Sequence, residues 1–397
     1  MIAGKKGGAF RMNYDFETVY TRNPANSVKH KTHPRYPENH DMIPMWIADM
    51  DFQTAPEIIN SLKAVSEQGL FGYTELDREY YDLLIAWNKK RFCFVPDRAW
   101  IVPCEGVMFG IAASIRALSE VNDSVLILQP VYYPFANVIK DNRRRLVVSE
   151  LVNEAGRYQI DFEDLERSII ENRVKLLLFC SPHNPVGRVW SKEELERVAS
   201  ICLKYHVIMI SDEIHSDLVY QRHYPLASLS REIAHNTVLI SSVTKSFNLA
   251  GIKSAHLIIS NADLRDRIKK EIRSIYPGRL GIMSVAATKA AYRYGEPWLE
   301  ELLVFLKSNV DDVIRSFEDS KIRVIAPEST YLLWLDCRKL NFDEETLDAF
   351  FLRDCGVWLN SGYTFGKGGS GFMRMNIACP KQTLKEAICR IQDKLRG

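Results

Sequence analysis

Three polar residues stand where hydrophobic runs end, and their side chains suit one another chemically. Lys245 follows the run Thr237-Val238-Leu239-Ile240, in the small, polar stretch Ser241-Ser242-Val243-Thr244-Lys245-Ser246. A lysine leaving a buried strand is partly desolvated, so its amine can be neutral near pH 7 and attack an aldehyde to form a Schiff base. Asp212 follows a second run, in Ser211-Asp212-Glu213-Ile214-His215. A carboxylate at a strand end is costly to desolvate unless it meets a cation or a donor. Asn184 lies in Ser181-Pro182-His183-Asn184-Pro185-Val186-Gly187, whose prolines and glycine make a tight turn, and its amide offers both a donor and an acceptor. Taken alone, Lys245 also reads as a surface lysine in a polar turn. Its companions decide against that.

A carboxylate, an amide and a lysine at successive strand ends suit a pyridoxal 5′-phosphate site. The carboxylate keeps the pyridine nitrogen protonated, the amide bonds the phenolic oxygen, and the lysine carries the aldehyde. A metal site built from Asp212, His215 and His223 competes. Its spacing matches no zinc signature, and it leaves Lys245 and Asn184 without a task, so no metal is expected. Gly366-Lys367-Gly368 invites comparison with a P-loop, but GxxxxGK[ST] is absent and a strand follows where a helix is required, so 362–371 reads as a flexible loop.

The elements that must position these residues follow from periodicity. Apolar runs at 125–128, 174–179, 207–210, 238–240 and 257–259 predict buried strands. Helical spacing predicts helices at 56–68, 80–92, 109–118 and 192–205, the last with Ser191 and Glu194 as a capping box. Continuous apolar strands separated by helices imply an α/β domain over 55–290, with a mostly parallel sheet covered on both faces. Trp100-Ile101-Val102 predicts a strand running into Gly106, Val107 and a helix N-terminus, which makes an anion site, although a single glycine is common in turns that bind nothing. Beyond Pro297 the pattern changes to a helix at 299–317, a strand at 331–335, a helix at 344–354, a strand at 372–377 and a helix at 382–395. This is a smaller α+β domain, 291–397. Residues 1–54 carry Pro24, Pro34, Pro37 and Pro44 and read as an extended arm that joins it. Within the arm, Met45-Trp46-Ile47-Ala48-Asp49-Met50-Asp51-Phe52 reads either as an edge strand or as a pocket lining.

Composition sets the class. The 397 residues are 46% apolar and 26% charged, with a net charge of +2, ordinary for a soluble globular protein and without the surplus of one sign that a polyanion partner needs. Arg143-Arg144-Arg145 reads as a solvated turn. Eight scattered cysteines without a CxxC imply free thiols in a reducing compartment. The first residues lack the apolar core of a secretory signal, and Lys5-Lys6-Gly7-Gly8 reads as disordered. No stretch is long and apolar enough to span a bilayer. A cytoplasmic protein without nucleic-acid or membrane partners is expected.

Taken together, these motifs resemble the fold-type I pyridoxal-phosphate enzymes of the class I/II aminotransferase superfamily. Within it the chain is most similar to the cystathionine β-lyase branch, the MalY/PatB-type C–S lyases. The resemblance runs from Tyr14 to the end. It is carried by the Met45–Phe52 octapeptide, Gly72-Tyr73, Pro130-Val131-Tyr132-Tyr133-Pro134-Phe135, His183-Asn184-Pro185-Val186-Gly187, Asp212-Glu213-Ile214-His215, Ser242-Val243-Thr244-Lys245 and Met373-Arg374-Met375-Asn376-Ile377-Ala378-Cys379-Pro380. The resemblance implies that Lys245 is the Schiff-base lysine and general base, Asp212 the pyridinium partner and Asn184 the ligand of the phenolic oxygen. It places Tyr132 against the cofactor ring. It puts Gly106, Val107, Ser242 and Lys253 at phosphate contacts, and Tyr73 at the phosphate of a neighbouring subunit, which implies a homodimer. His215 stands among the cofactor ligands, where many aminotransferases have a tyrosine. Arg374, with Ile47 and Ala48, is implied to hold the α-carboxylate of a small amino-acid substrate, a bidentate task suited to guanidinium. Cys104 and Glu105 depart from the small hydroxylated residues common before the glycine.

The activity implied is α,β-elimination from L-cystathionine, and from L-cysteine or its S-conjugates, to a thiol, pyruvate and ammonia. An aminotransferase on the same scaffold is the alternative. A regulatory protein that keeps the cofactor only as structure is a third reading, which the intact Lys245 opposes.

Overall fold

The computed structural model describes residues 12–22, 26–275 and 279–396. The segment Lys5-Lys6-Gly7-Gly8 lies outside them. The larger sheet has seven strands: β1 (Ile101–Cys104), β2 (Ser124–Gln129), β3 (Arg145–Glu150), β4 (Val174–Cys180), β5 (Ile208–Asp212), β6 (Thr237–Ser241) and β7 (Ala255–Ile258). Their order is β1-β7-β6-β5-β4-β2-β3, all parallel except β7, which runs against both neighbours. Helices α1 (Pro56–Gln68), α2 (Arg78–Phe92), α3 (Val107–Leu118), α4 (Lys192–Lys204), the short α5 (Val243–Ser246), α6 (Ala262–Ile275) and α7 (Ile282–Tyr294) accompany it.

The continuous apolar strands follow from burial on both faces. In β2, Val125 and Ile127 pack with Ile111 and Ile115 of α3 and Ile268 of α6. Leu126 and Leu128 face the other way, onto Leu195 and Val198 of α4. In β4, Leu176 and Leu178 join the first layer, and Leu177 and Phe179 the second. Successive side chains of a strand point to opposite faces, so a strand covered on both sides must be apolar at every position. Each fully buried aliphatic side chain contributes about 1.5–3 kcal/mol. The α4 capping box forms as expected, with Ser191 and Glu194 exchanging hydrogen bonds across the first turn.

A second, antiparallel sheet has the order β8 (Arg323–Ile325), β9 (Leu332–Asp336), β11 (Phe372–Asn376) and β10 (Asn360–Ser361). It packs against α8 (Glu296–Ser316) and α9 (Lys381–Arg396). The arm joins this layer: Phe16, Ile43, Met45, Met50 and Phe52 share a core with Trp298, Phe305, Leu335 and Met375. Ile43–Pro44 also pairs in parallel with Val357–Trp358. We propose 1–54, 55–290 and 291–397 as arm, large domain and small domain; the same core also takes in Ile58, Trp87, Val243 and Phe247 of the large domain.

Several local expectations change. The helix expected over 344–354 is α-helical only through Ala349 and continues as a π-helical turn, Phe350–Asp354. The segment 362–371, expected as a loop, forms two 3₁₀ turns around a buried Phe365. There Gly362 and Gly369 meet backbone to backbone, and a Cβ on Gly362 would lie 2.3 Å from the Gly369 carbonyl oxygen. Arg144 is no solvated turn residue. Its guanidinium donates to the Ser119 and Arg116 carbonyls and so caps the C-terminal end of α3.

Candidate active site

Register brings the chemistry together. Cys180 at the end of β4 pairs with Asp212 at the end of β5, and Asp212 pairs with Ile240 of β6. Asn184, Asp212 and Lys245 therefore leave one edge of the sheet side by side, at the carboxyl ends of parallel strands where ligands bind in α/β folds. All three line a single cavity of about 860 Å³. Val107, Tyr132, His215, Arg374, Ile47 and Ala48 line it too. Gly106, Ser242, Lys253 and Tyr73 are not on its wall. Lys253 and Tyr73 are exposed, and the Ser242 hydroxyl is committed within the chain, accepting from Thr244 N and donating to Ser254 O.

Asp212 is buried, and one of its oxygens accepts from Ile214 N at 3.1 Å. Burial pushes its carboxyl up to about 7, with the Ile214 bond and the charge of Lys245 opposing and Glu213 reinforcing. Such a carboxylate favours a bound cation. Burial pulls Lys245 down to about 8, so a fraction of the amine is neutral at physiological pH. Its Nζ donates to the Ala48 carbonyl, which also receives the Tyr331 hydroxyl at 3.2 Å. Tyr132 is pushed up to about 12 by burial and stays a neutral phenol.

The octapeptide Met45–Phe52 forms the facing wall, and nearly all of its carbonyls are taken. Arg374 bonds the Trp46 carbonyl and Asn376 those of Ile47 and Asp49. Arg22 and Asn248 take that of Met50. The N–H groups of Trp46, Ile47, Ala48 and Phe52, all on the cavity wall, have no acceptor among the described residues. Unpaired N–H groups beside a guanidinium make an anion site. The two aspartates of the motif are held from the arm: Lys29, 1% exposed, lies 2.8 Å from Asp51, and Arg22 lies 2.7 Å from Asp49.

Arg374 is itself buried. Its Nη1 donates to Asn184 Oδ1 at 3.1 Å and its Nη2 to Asn360 Oδ1 at 2.7 Å, while Nε has no partner among the described residues. Since Asn184 Oδ1 is occupied by Arg374, the Asn184 amide must present its NH₂ to the cavity. That NH₂ has no acceptor among the described residues. His215, 3% exposed, has no hydrogen bond on either ring nitrogen among the described residues; burial and the cations Lys245 and Arg374 hold it down at about 3, as a neutral imidazole.

These features fit pyridoxal 5′-phosphate. A desolvated carboxylate awaits a pyridinium, a free amide NH₂ awaits a phenolate, and the N-terminus of α3, with Val107 and Met108 on the wall, awaits an anion. The competing metal set is not assembled. His223 pairs instead with buried Glu213 at 2.9 Å, and no group of three His, Cys, Asp or Glu side chains is placed to hold a metal among the described residues.

Tyr331, Asn360, Asn248, Arg22 and the arm residues Asn26 to Val28 also line or brace the cavity, and the sequence reading missed them. Arg22, Asn26 and Ser27 carry no periodic signal, so only their place on the cavity wall reveals them.

Residues 40–391 match the family described as aminotransferase class I and II. Cystathionine beta-lyase PatB of Bacillus subtilis is 35% identical over 359 residues, 89% of this chain and 93% of that protein. The PLP-bound C–S lyase of Staphylococcus hominis superposes with a TM-score of 0.90 at 32% identity, covering 98% of this chain and all of that one. Cystalysin of Treponema denticola, which contains pyridoxal 5′-phosphate, superposes at 0.93 with 34% identity over 97% and 99% of the two chains. Among the described residues, no helix is long and apolar enough to cross a membrane.

Proposed function

The chain belongs to the class I and II aminotransferase family of pyridoxal 5′-phosphate enzymes, and from that premise we propose that it is a carbon–sulfur β-lyase. It cleaves L-cystathionine, and L-cysteine or its S-conjugates, by α,β-elimination to a thiol, pyruvate and ammonia. The observation that carries this reading is the convergence of Lys245, Asp212 and Asn184 with an α-carboxylate clamp in one cavity. The names of the relatives, cystathionine β-lyase and C–S lyase, direct it to sulfur.

When bound, pyridoxal 5′-phosphate supplies an aldehyde for the substrate amine and a ring that takes up electrons from Cα. The chain does the rest. Arg374 and the N–H groups of Ile47 and Ala48 hold the α-carboxylate, which fixes the orientation of the Cα–H bond. Asp212 keeps a proton on the ring nitrogen. Asn184 would donate through its NH₂ to the phenolic oxygen, and Tyr132, on the cavity wall, would pack beside the ring. Gly106, Val107, Ser242 and Lys253 are assigned to the phosphate end, where Val107, at the start of α3, is the one of the four on the cavity wall. Lys245 accepts the Cα proton; the Cβ–S bond breaks, and the electron pair leaves with sulfur. Tyr73, on a loop that also exposes Leu70 and Phe71, is assigned to the cavity of a second copy in a homodimer. We place the enzyme in the cytoplasm.

An aminotransferase would use the same residues, and the family description keeps that reading in play. Pyruvate release from L-cystathionine by the cofactor-loaded protein, without a keto acid, separates them. Release over many turnovers is expected. A single turnover that leaves the cofactor as its amine would overturn the lyase reading in favour of transamination.

A further inference from the structure

Lys245 sits on α5, a helix of four residues. A helix this short cannot hold itself, because nucleation costs more than its few bonds return. Its shape must come from side chains that pin its ends. The N-terminal pin is Ser242, whose hydroxyl accepts from Thr244 N at 3.0 Å and donates to Ser254 O. The C-terminal pin is Ser246, the residue after Lys245, whose Oγ donates to Asp217 Oδ2 at 2.8 Å.

Asp217 is 5% exposed and does not itself line the cavity. Its other oxygen accepts from Trp87 Nε1 at 3.1 Å and faces Arg91 Nε at 3.6 Å, both on α2. Trp87 also packs edge-on against Phe247, with 5.8 Å between ring centroids. Asp217 lies on the turn that follows Asp212 and carries His215. That turn is closed by Ser216 N to Glu213 O at 3.0 Å and Leu218 N to His215 O at 2.9 Å. One buried carboxylate therefore ties the turn that follows Asp212, the helix bearing Lys245 and α2 to a common point. A buried charge of this kind is costly unless each oxygen is used, and here each is.

We propose that Asp217 is a positioning residue: through Ser246 it fixes the helix of Lys245 and sets where that amine stands relative to Asp212. The proposal rests on the reading of Lys245 as the reacting amine. Loss of the Asp217–Ser246 bond frees the C-terminal end of α5, while Arg374 keeps its own bonds to Asn184, Asn360 and the Trp46 carbonyl. Proton transfer at Cα suffers, and substrate binding does not.

The test compares Ser246→Ala, Ser246→Thr and Asp217→Asn with the parent, at equal folded fraction. Displacement by 1 Å costs roughly 10²-fold in rate, so a slackened pin is expected to lower kcat for pyruvate release by about tenfold or more. KM stays within about threefold, and the isotope effect from Cα deuteration rises, because proton removal becomes more rate-limiting. Without any substrate, capture of pyridoxal 5′-phosphate by the Ser246→Ala apoprotein, followed by visible absorbance, slows by about tenfold, whereas Ser246→Thr captures at close to the parental rate. Asp217→Asn is expected to follow Ser246→Ala; Ser246→Ala carries the test if Asp217→Asn does not fold. A parental rate of capture with an unchanged isotope effect in Ser246→Ala would overturn the proposal. So would a rise in KM at constant kcat. A parent that captures no cofactor would overturn the reading of Lys245, and the proposal with it.

Discussion

Asp212→Asn is expected to stabilise the apoprotein while it disables the enzyme. Asp212 is buried with a single backbone donor, and its carboxyl lies at about 7 against an ordinary 3.8. The folded apoprotein therefore holds a proton that the unfolded chain has released between those two values. Its stability falls as pH rises through that window, and the loss is complete above about pH 7. At about 1.4 kcal/mol for each factor of ten, the stability lost relative to low pH is about 4 kcal/mol at pH 8 and about 2 kcal/mol at pH 5, where the folded carboxyl still holds its proton. Asparagine keeps the acceptor for Ile214 N and never ionises. Relative to the parent, the Asp212→Asn apoprotein should gain about 2–3 kcal/mol between pH 5 and pH 8. Urea unfolding of both apoproteins at the two pH values measures this, since any pH dependence they share cancels in the difference. With cofactor bound, the pyridinium meets the Asp212 charge, so the advantage of the amide disappears, and pyruvate release by the variant should fall by at least about 10²-fold. A stability difference that is the same at pH 5 and pH 8 would refute the assignment of Asp212 as a desolvated anion awaiting a cation.

Two further outcomes follow from the same geometry. Arg374→Lys replaces a planar fork, engaged with Asn184, Asn360 and the Trp46 carbonyl, by a point charge; kcat/KM for α-carboxylate substrates should fall by about 10²–10³-fold, mainly through KM, as steady-state kinetics would show. Because burial brings Lys245 down to about 8, capture of pyridoxal 5′-phosphate by the apoprotein should rise about tenfold per pH unit below pH 8 and level off above it. A midpoint near the ordinary 10.5 would show that the amine is not desolvated.

Much of the fold was legible because its signals are local. The runs that became β4, β5 and β6 are apolar at consecutive positions, which only burial on both faces requires. The polar residues that end those runs then had to emerge at one edge. Lys245, Asp212 and Asn184 were readable for that reason. Bounds shifted by a residue or two, since terminal residues of a strand are fixed by their partners: Asp212 proved to be the last residue of β5 because it pairs with Cys180 and Ile240. The 362–371 segment read as a loop because the close approach of Gly362 to Gly369 leaves no periodic trace.

The sequence by itself determined which side chains could do the chemistry and the class of sheet that would present them. Residue type and the spacing of apolar positions are properties of neighbouring residues. Tertiary structure alone decided who meets whom. Arg374 reaches the Trp46 carbonyl across 328 positions of chain, and Lys245 finds the Ala48 carbonyl across 197. Lys253 and Ser242 stay off the cavity wall, and Asp217 enters the story through a bond to Ser246 that no motif announces. Such contacts depend on strand register and on the path of the arm. Both are set by burying the whole core at once, and no short window of sequence contains that constraint.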